Sequence, residues 1–128
     1  MEVYKDQQIL LVDDSRINQR LAKLIFSQMG LKCDIASNGM EAFEMYQVKL
    51  YDVIFMDIQM PILNGLESSK LIRKYEKDSG STHRAVIVAL SGSELAENKE
   101  TCIEFGMDGF IEKPIRVESL QQYLSPKS

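Results

Sequence analysis

Cysteine is scarce in this 128-residue chain, histidine scarcer, and neither basic charge nor long apolar runs are in excess. The two cysteines, Cys33 and Cys102, are far apart and lack the Cys/His spacing of a zinc site, so two buried, reduced thiols are expected. The single histidine, His83, stands in a loop-like stretch and is expected to be solvated. A formal net charge of -4 and a pI near 5.0 argue against nucleic-acid binding by this domain, which needs a basic face. No apolar run approaches the roughly 20 residues that span a bilayer, and the N-terminus lacks a signal peptide's charged-then-apolar layout. The domain is therefore expected to make no membrane contact and to be cytoplasmic, with the nucleus as the alternative; a longer parent chain could still carry an anchor. No repeat, low-complexity run or linker is visible. The expectation is one domain over residues 1–128, with fraying only at Met1 to Asp6 and Ser125 to Ser128.

What the chain does have is organised around the stretch Asp52-Val53-Ile54-Phe55-Met56-Asp57-Ile58-Gln59-Met60-Pro61. The apolar run Val53 to Met56 is too short for a helix and too continuous for a strand with one wet face. It suits a strand buried on both faces of a parallel sheet. The run ends on a carboxylate, Asp57, and Met60-Pro61 stops the strand soon after. An acid at the carboxyl end of a central strand lies where open α/β sheets place their ligands.

The rest alternates in the same way. Gln8 to Val12 is a second short apolar run, ending on Asp13-Asp14. From Ser15 the period turns helical, with Ile17, Leu21, Leu24 and Ile25 as the predicted buried stripe and Gly30 as the stop. Leu31 to Ala36 reads as a weaker strand. Asn38 with Glu41 resembles a capping box and opens a helix carrying Ala42, Phe43 and Tyr46 inward. Asn64-Gly65 begins a third helix to about Lys77, whose end, Arg73 to Asp78, reads as solvated. Ala85 to Leu90 is strongly strand-like and ends at Ser91. A helix with a sparse apolar face is predicted over about Glu94 to Phe105, a short strand over Gly109 to Glu112 ending at Lys113-Pro114, and a last helix over about Arg116 to Leu124. Five strand–helix repeats with short connections predict an α/β fold: a doubly wound, five-stranded parallel sheet of flavodoxin-like order 2-1-3-4-5.

In such a sheet the carboxyl ends of strands 1, 3, 4 and 5 share one edge. That edge would gather Asp13 and Asp14, Asp57, the Ser91 hydroxyl and the Lys113 ammonium. Three close carboxylates repel, and a divalent cation relieves the repulsion; a hard all-oxygen site favours Mg²⁺. The cation and an ammonium can neutralise phosphoryl oxygens, a hydroxyl can donate to one of them, and a carboxylate can attack in line. The chemistry such a group suits is phosphoryl transfer to a carboxylate.

The motifs Leu-Val-Asp13-Asp14-Ser, Phe-Met-Asp57-Ile-Gln-Met-Pro61-Ile-Leu-Asn-Gly65, Ala-Leu-Ser91-Gly and Glu-Lys113-Pro114 resemble those of the receiver domain of two-component response regulators, over nearly the whole chain. The resemblance implies Asp57 as phosphoacceptor. It implies Mg²⁺ held directly by Asp14, Asp57 and the Gln59 carbonyl, with Asp13 acting partly through water. It implies Ser91 and Lys113 on the phosphoryl oxygens, a cis Lys113-Pro114 peptide, and Phe110 at the aromatic switch position. Implied partners are a histidine kinase or a histidine phosphotransfer protein, since His83 does not resemble a phosphorylated histidine, and a phosphorylation-dependent partner or dimer on the face of helix 4, strand 5 and helix 5. Three residues depart from the family's commoner choices: Ser91 for threonine, Gly92 for alanine and Phe110 for tyrosine. The Asp-Ile-Gln-Met-Pro segment and Ile17-Asn18-Gln19 are similar to receivers within hybrid histidine kinases, so the domain is not expected to be a stand-alone enzyme, although it would promote its own phosphorylation and dephosphorylation.

Other classes fit less well. An aspartyl-phosphate phosphatase wants a second acid two residues after its nucleophile, where Gln59 stands. A flavodoxin wants a Ser/Thr/Gly-rich loop where Asp13-Asp14-Ser15-Arg16 is acidic. A receiver fold serving only as an interaction module typically loses an acid or the lysine, and this chain keeps them all.

Overall fold

A computed structural model describes residues 4–92 and 95–126. The chain runs β1 (Ile9–Val12), α1 (Arg16–Gln28), β2 (Asp34–Ala36), α2 (Gly39–Val48), β3 (Val53–Asp57), α3 (Gly65–Asp78), β4 (Val86–Ser91), α4 (Leu95–Glu104), β5 (Gly109–Glu112) and α5 (Val117–Gln121). The strands form one parallel sheet in the order β2-β1-β3-β4-β5, as the alternation predicts. The predicted start of α4 at Glu94 lies outside the described residues.

Successive strand residues point to opposite faces, and both faces are covered, which is why the strands read as unbroken apolar runs. Leu10, Val12, Ile54, Met56, Ile87 and Ala89 meet Ala42 and Tyr46 of α2, Ile72 of α3 and Cys102 of α4. Ile9, Leu11, Val53, Phe55, Val88 and Leu90 meet Ala22, Ile25 and Phe26 of α1 and Leu120 of α5. Phe26 and Phe55 stack tilted, their centroids 5.7 Å apart.

The predicted stripe of α1 is corrected. Ile17, Leu21 and Leu24 are exposed, at 79%, 40% and 57%, and only Ile25 of the four is buried. The buried stripe is Ala22, Ile25 and Phe26, turned by about one residue from the predicted one. The rotation is set at the helix start: Ser15 caps Asn18, while the Asn18 and Gln19 side chains donate to Asp13, which brings the residues one turn later, Ala22 and beyond, onto the sheet.

Other local readings need amendment. Asn38 caps α2 by accepting from the Glu41 amide, but the Glu41 carboxylate accepts from Ser37 rather than closing the box. The full capping box is on α3, between Asn64 and Glu67. The end of α3 is not simply solvated. Glu76 is buried and accepts from the Tyr46 hydroxyl (2.5 Å), the Ala85 amide (2.8 Å) and Arg73 (2.9 Å). His83 is half-buried rather than solvated, its ring nitrogen 2.7 Å from the Tyr51 carbonyl. Cys102 is buried as expected, Cys33 only half so, and both are free thiols. The expected fray is partly tied down: Tyr4 bridges Pro126, and the Lys5 amide donates to Ser125. Helix α5 is shorter than predicted, with Arg116 as its N-cap and turns after Gln121.

Candidate functional site

Every side chain that the sequence places at the carboxyl edge is delivered by the end of a strand. Asp13 follows β1, its amide donating to the carbonyl of Ala36, the last residue of β2. Asp57 is the last residue of β3, and the next amide, of Ile58, donates to Leu90 of β4. Ser91 ends β4, and the Lys113 amide, just past β5, donates to the Ser91 carbonyl at 2.7 Å. The Lys113-Pro114 peptide is cis, as expected.

The three carboxylates converge. One oxygen from each of Asp13, Asp14 and Asp57 lies within 4.8 Å of the others. Asp13 and Asp57 are buried, and Asp14 faces solvent. The Lys113 ammonium donates to Asp57 Oδ2 at 3.0 Å and lies 3.5 Å from Asp13 Oδ2. The Gln59 amide donates to Asp57 Oδ1 at 3.3 Å. Three hard oxygen donors, one of them open to water, fit a small divalent cation.

Electrostatics follow from this crowding. Burial pushes the Asp57 carboxyl above the usual carboxylate range; the Lys113 bond opposes that push and Asp13 adds to it. Burial alone would lower the Lys113 ammonium, but its bonds to Asp57 and Asp13 outweigh burial and hold it above its ordinary value. Ser91 is buried at the same edge, 2% exposed. Phe110, at the second residue of β5, is half-buried, and its amide donates to the Tyr123 hydroxyl at 3.2 Å. All seven residues singled out from sequence thus lie along the edge or on the strand behind it.

Asn18 and Gln19, which the sequence marks only through the hybrid-kinase likeness, are supporting groups of the site. Asn18 Nδ2 donates to Asp13 Oδ2 at 3.3 Å, and Gln19 Nε2 donates to the Asp13 carbonyl at 2.6 Å and to Ser37 Oγ at 3.2 Å. With the Ser15 amide on Asp13 Oδ1 (2.9 Å), they fix the orientation of that carboxylate. The signal available was position: amides in the first helical turn after a strand-end acid. Gly65 is the other hidden determinant. A Cβ there would lie 2.3 Å from the Asp57 carbonyl oxygen, so only glycine lets α3 start this close to the acid. Beside the acids a small cleft is lined by Asp13, Asn18, Leu21, Lys113, Pro114 and Ile115.

Comparison with known proteins agrees with this geometry. The family model described as "Response regulator receiver domain" matches residues 9–125. Hybrid signal transduction histidine kinase F of Dictyostelium discoideum is 44% identical over 112 residues, covering 88% of this chain and 10% of that protein. Histidine kinase 5 of Arabidopsis thaliana is 38% identical over 142 residues, covering 91% of this chain and 15% of that one. The chain therefore spans a small fraction of the length of these relatives. Among solved structures, the Saccharomyces cerevisiae complex of the histidine phosphotransfer protein Ypd1 with the receiver domain of the response regulator Ssk1 matches with a TM-score of 0.88 at 30% identity, over 94% of this chain and 88% of that one. The receiver domain of sensor histidine kinase PA1611 from Pseudomonas aeruginosa, with magnesium in its active site cleft, matches with a TM-score of 0.77 at 28% identity, over 92% of this chain and 93% of that one. Among the described residues, no helix is long and apolar enough to cross a membrane.

Proposed function

The chain belongs to the response regulator receiver domain family, and on that premise we propose that it takes a phosphoryl group from a phosphohistidine onto Asp57. The observation that carries the reading is the meeting of three carboxylate oxygens within 4.8 Å with the Lys113 ammonium 3.0 Å from Asp57. In the proposed reaction an Asp57 carboxylate oxygen forms the new P–O bond as the donor's P–N bond breaks. The imidazole departs with the electron pair and takes up a proton from water. Asp13, Asp14 and Asp57, with the Gln59 carbonyl, are the residues that would hold Mg²⁺, and its chemistry there is to neutralise carboxylate and phosphoryl charge. Lys113 moves its donation from Asp57 to a phosphoryl oxygen, staying within reach of Asp13, and Ser91 donates its hydroxyl to another. Asn18 and Gln19 keep Asp13 in register throughout.

The donor is a histidine kinase or a histidine phosphotransfer protein, like the partner in the Ssk1 complex. Its docking face is the exposed stripe Ile17, Leu21 and Leu24 of α1, because Leu21 also lines the cleft beside Asp13 and Lys113. Solvent-facing apolar side chains in a row at the mouth of a charged site are what a protein partner would cover. The output is a shift of Ser91 toward the phosphoryl group and an inward turn of Phe110, altering the face made by α4, β5 and α5. The domain is one module of a phosphorelay, the parent chain being a hybrid histidine kinase.

The test pairs two donors. With Mg²⁺ and a small-molecule acyl phosphate, one acid- and base-labile phosphoryl group appears on Asp57, and Asp57→Asn abolishes it. With a phosphorylated phosphotransfer protein as donor, Ile17→Asp with Leu24→Asp slows transfer while leaving small-donor labelling intact. Stoichiometric labelling of Asp57→Ala at another residue would remove the central assignment.

A further inference from the structure

We propose that the groove between α3 and the C-terminal end of α4 is a second docking site, whose ligand is an acidic peptide segment carrying apolar side chains. The groove has a volume of about 820 Å³ and is lined by Leu63, Leu71 and Phe105 with Lys70, Lys74 and Lys77 and one acid, Glu67, whose carboxylate accepts from the Asn64 amide at the start of α3. The three lysines are exposed and fall at i, i+4 and i+7 on α3, so they form one row along its surface. Such a row is conspicuous on a chain whose net charge is -4. Among the described residues none of these three ammonium groups lies within 4.0 Å of a carboxylate, whereas Lys49 pairs with Asp34 and Lys113 with Asp57. Lys70 instead lies over the Phe105 ring, 5.8 Å from its centroid. Leu63, Leu71 and Phe105 are half-buried, offering apolar surface between the cations.

The base of the groove is rigid. Arg73 donates to the Gly106 carbonyl (2.9 Å), the Ala85 carbonyl (2.8 Å), Glu76 (2.9 Å) and Asp108 (2.6 Å). Gly106 sits at φ +93, and a Cβ there would lie 2.7 Å from Arg73 Cγ, so glycine is required for this clasp. Arg73 is thus neutralised and fixed, leaving the lysine row as the charge presented to a ligand. A row of cations around apolar side chains is complementary to a peptide alternating carboxylates with leucine-like residues. Nucleic acid would use the lysines but not the leucines, and the overall negative charge opposes it.

Because Phe105, the residue that follows α4, lines the groove, occupancy is linked to the switch proposed above, and only this linkage rests on that reading. If phosphorylation of Asp57 moves α4, it changes peptide affinity, and bound peptide shifts the phosphorylation equilibrium by the same factor in return.

The test titrates the isotopically labelled, unphosphorylated chain with a short synthetic peptide of glutamates and two leucines at i, i+4 spacing, followed by NMR. Saturable shifts are expected at Lys70, Leu71, Lys74, Lys77 and Phe105. Lys70→Glu with Lys74→Glu should weaken binding about tenfold. The same reversal at Lys23 and Lys32, outside the groove, should leave binding unchanged, and Leu71→Ser should weaken the leucine-containing peptide but not oligoglutamate. Equal losses from both lysine pairs, shifts elsewhere, or no saturation would overturn the site. Equal competition by a single-stranded oligonucleotide, indifferent to Leu71→Ser, would overturn the peptide assignment. A phosphoryl mimic that leaves affinity unchanged while groove binding persists would overturn the linkage alone.

Discussion

Lys113 donates to Asp57 Oδ2 at 3.0 Å while lying 3.5 Å from Asp13 Oδ2, so one cation from the end of β5 serves two buried carboxylates from β1 and β3. One positive charge against that pair and the nearby Asp14 leaves the metal-free site over-supplied with negative charge. Burial is the main cause of the raised Asp57 carboxyl, with Asp13 adding to it against the opposing pull of Lys113.

The first prediction follows from the sign of that shift. A carboxyl whose folded value lies above its ordinary 3.8 favours folding when protonated, and that contribution is lost as pH rises through the folded value. In chelator at neutral pH, Asp57→Asn should therefore melt above the wild type, with the gap closing in acid. Added Mg²⁺ should stabilise the wild type by about 1.4 kcal/mol at ten times its Kd, and the variant less. Thermal melts across pH decide this: a wild type that melts at or above the variant in neutral chelator contradicts the repulsion argument.

The second concerns the switch. Phe110 is half-buried, and the Lys99 ammonium lies 5.4 Å from its ring centroid. That contact favours the outward ring, so Lys99→Ala should raise the inward population about two- to fivefold. Backbone NMR with a phosphoryl mimic and Mg²⁺ should show shifts spreading over residues 91–118, altered in Phe110→Ala. Shifts confined to the loops of Asp13, Asp57 and Lys113 would mean that no such switch operates.

The third concerns the buried cluster at the opposite end of the sheet. Glu76 accepts from Tyr46, Ala85 and Arg73, joining α2, α3 and the start of β4. Glu76→Ala leaves the buried Tyr46 hydroxyl and Ala85 amide without their acceptor, while Arg73 keeps Asp108, and should cost about 2–5 kcal/mol of stability. Labelling of Asp57 in the folded fraction should be unchanged. A denaturation midpoint like that of the wild type would show the cluster to be dispensable.

The fourth concerns Cys33. Burial pushes its thiol up to about 11 from 9.0, with Lys23 partly opposing. At neutral pH its thiolate is then about a hundredfold rarer than that of a free thiol. Iodoacetamide should label native Cys33 slowly, accelerating only as pH approaches 11, and label the unfolded chain at the ordinary rate. Rapid native labelling at neutral pH would refute the shift.

The sequence by itself determined the sheet and the site. Short apolar runs such as Ile9–Val12 and Val53–Asp57 have only one stable use, burial on both faces of a parallel sheet, and the residue ending each run must then emerge at the shared edge. Asp13, Asp57, Ser91 and Lys113 were legible for that reason: their positions depend on strand ends, not on side-chain rotation. Only the tertiary structure decided which face of each helix is buried. Helix α1 carries two apolar stripes, and hydrogen bonds from Asn18 and Gln19 to Asp13 choose Ala22, Ile25 and Phe26 over Ile17, Leu21 and Leu24. Arg73 and Glu76 looked like solvated charge because their partners, Gly106, Asp108, Ala85 and Tyr46, are distant in sequence and reach them only after the helices dock. Local pattern specifies period and ending; rotation and long-range pairing are set by contacts that exist only once the chain is folded.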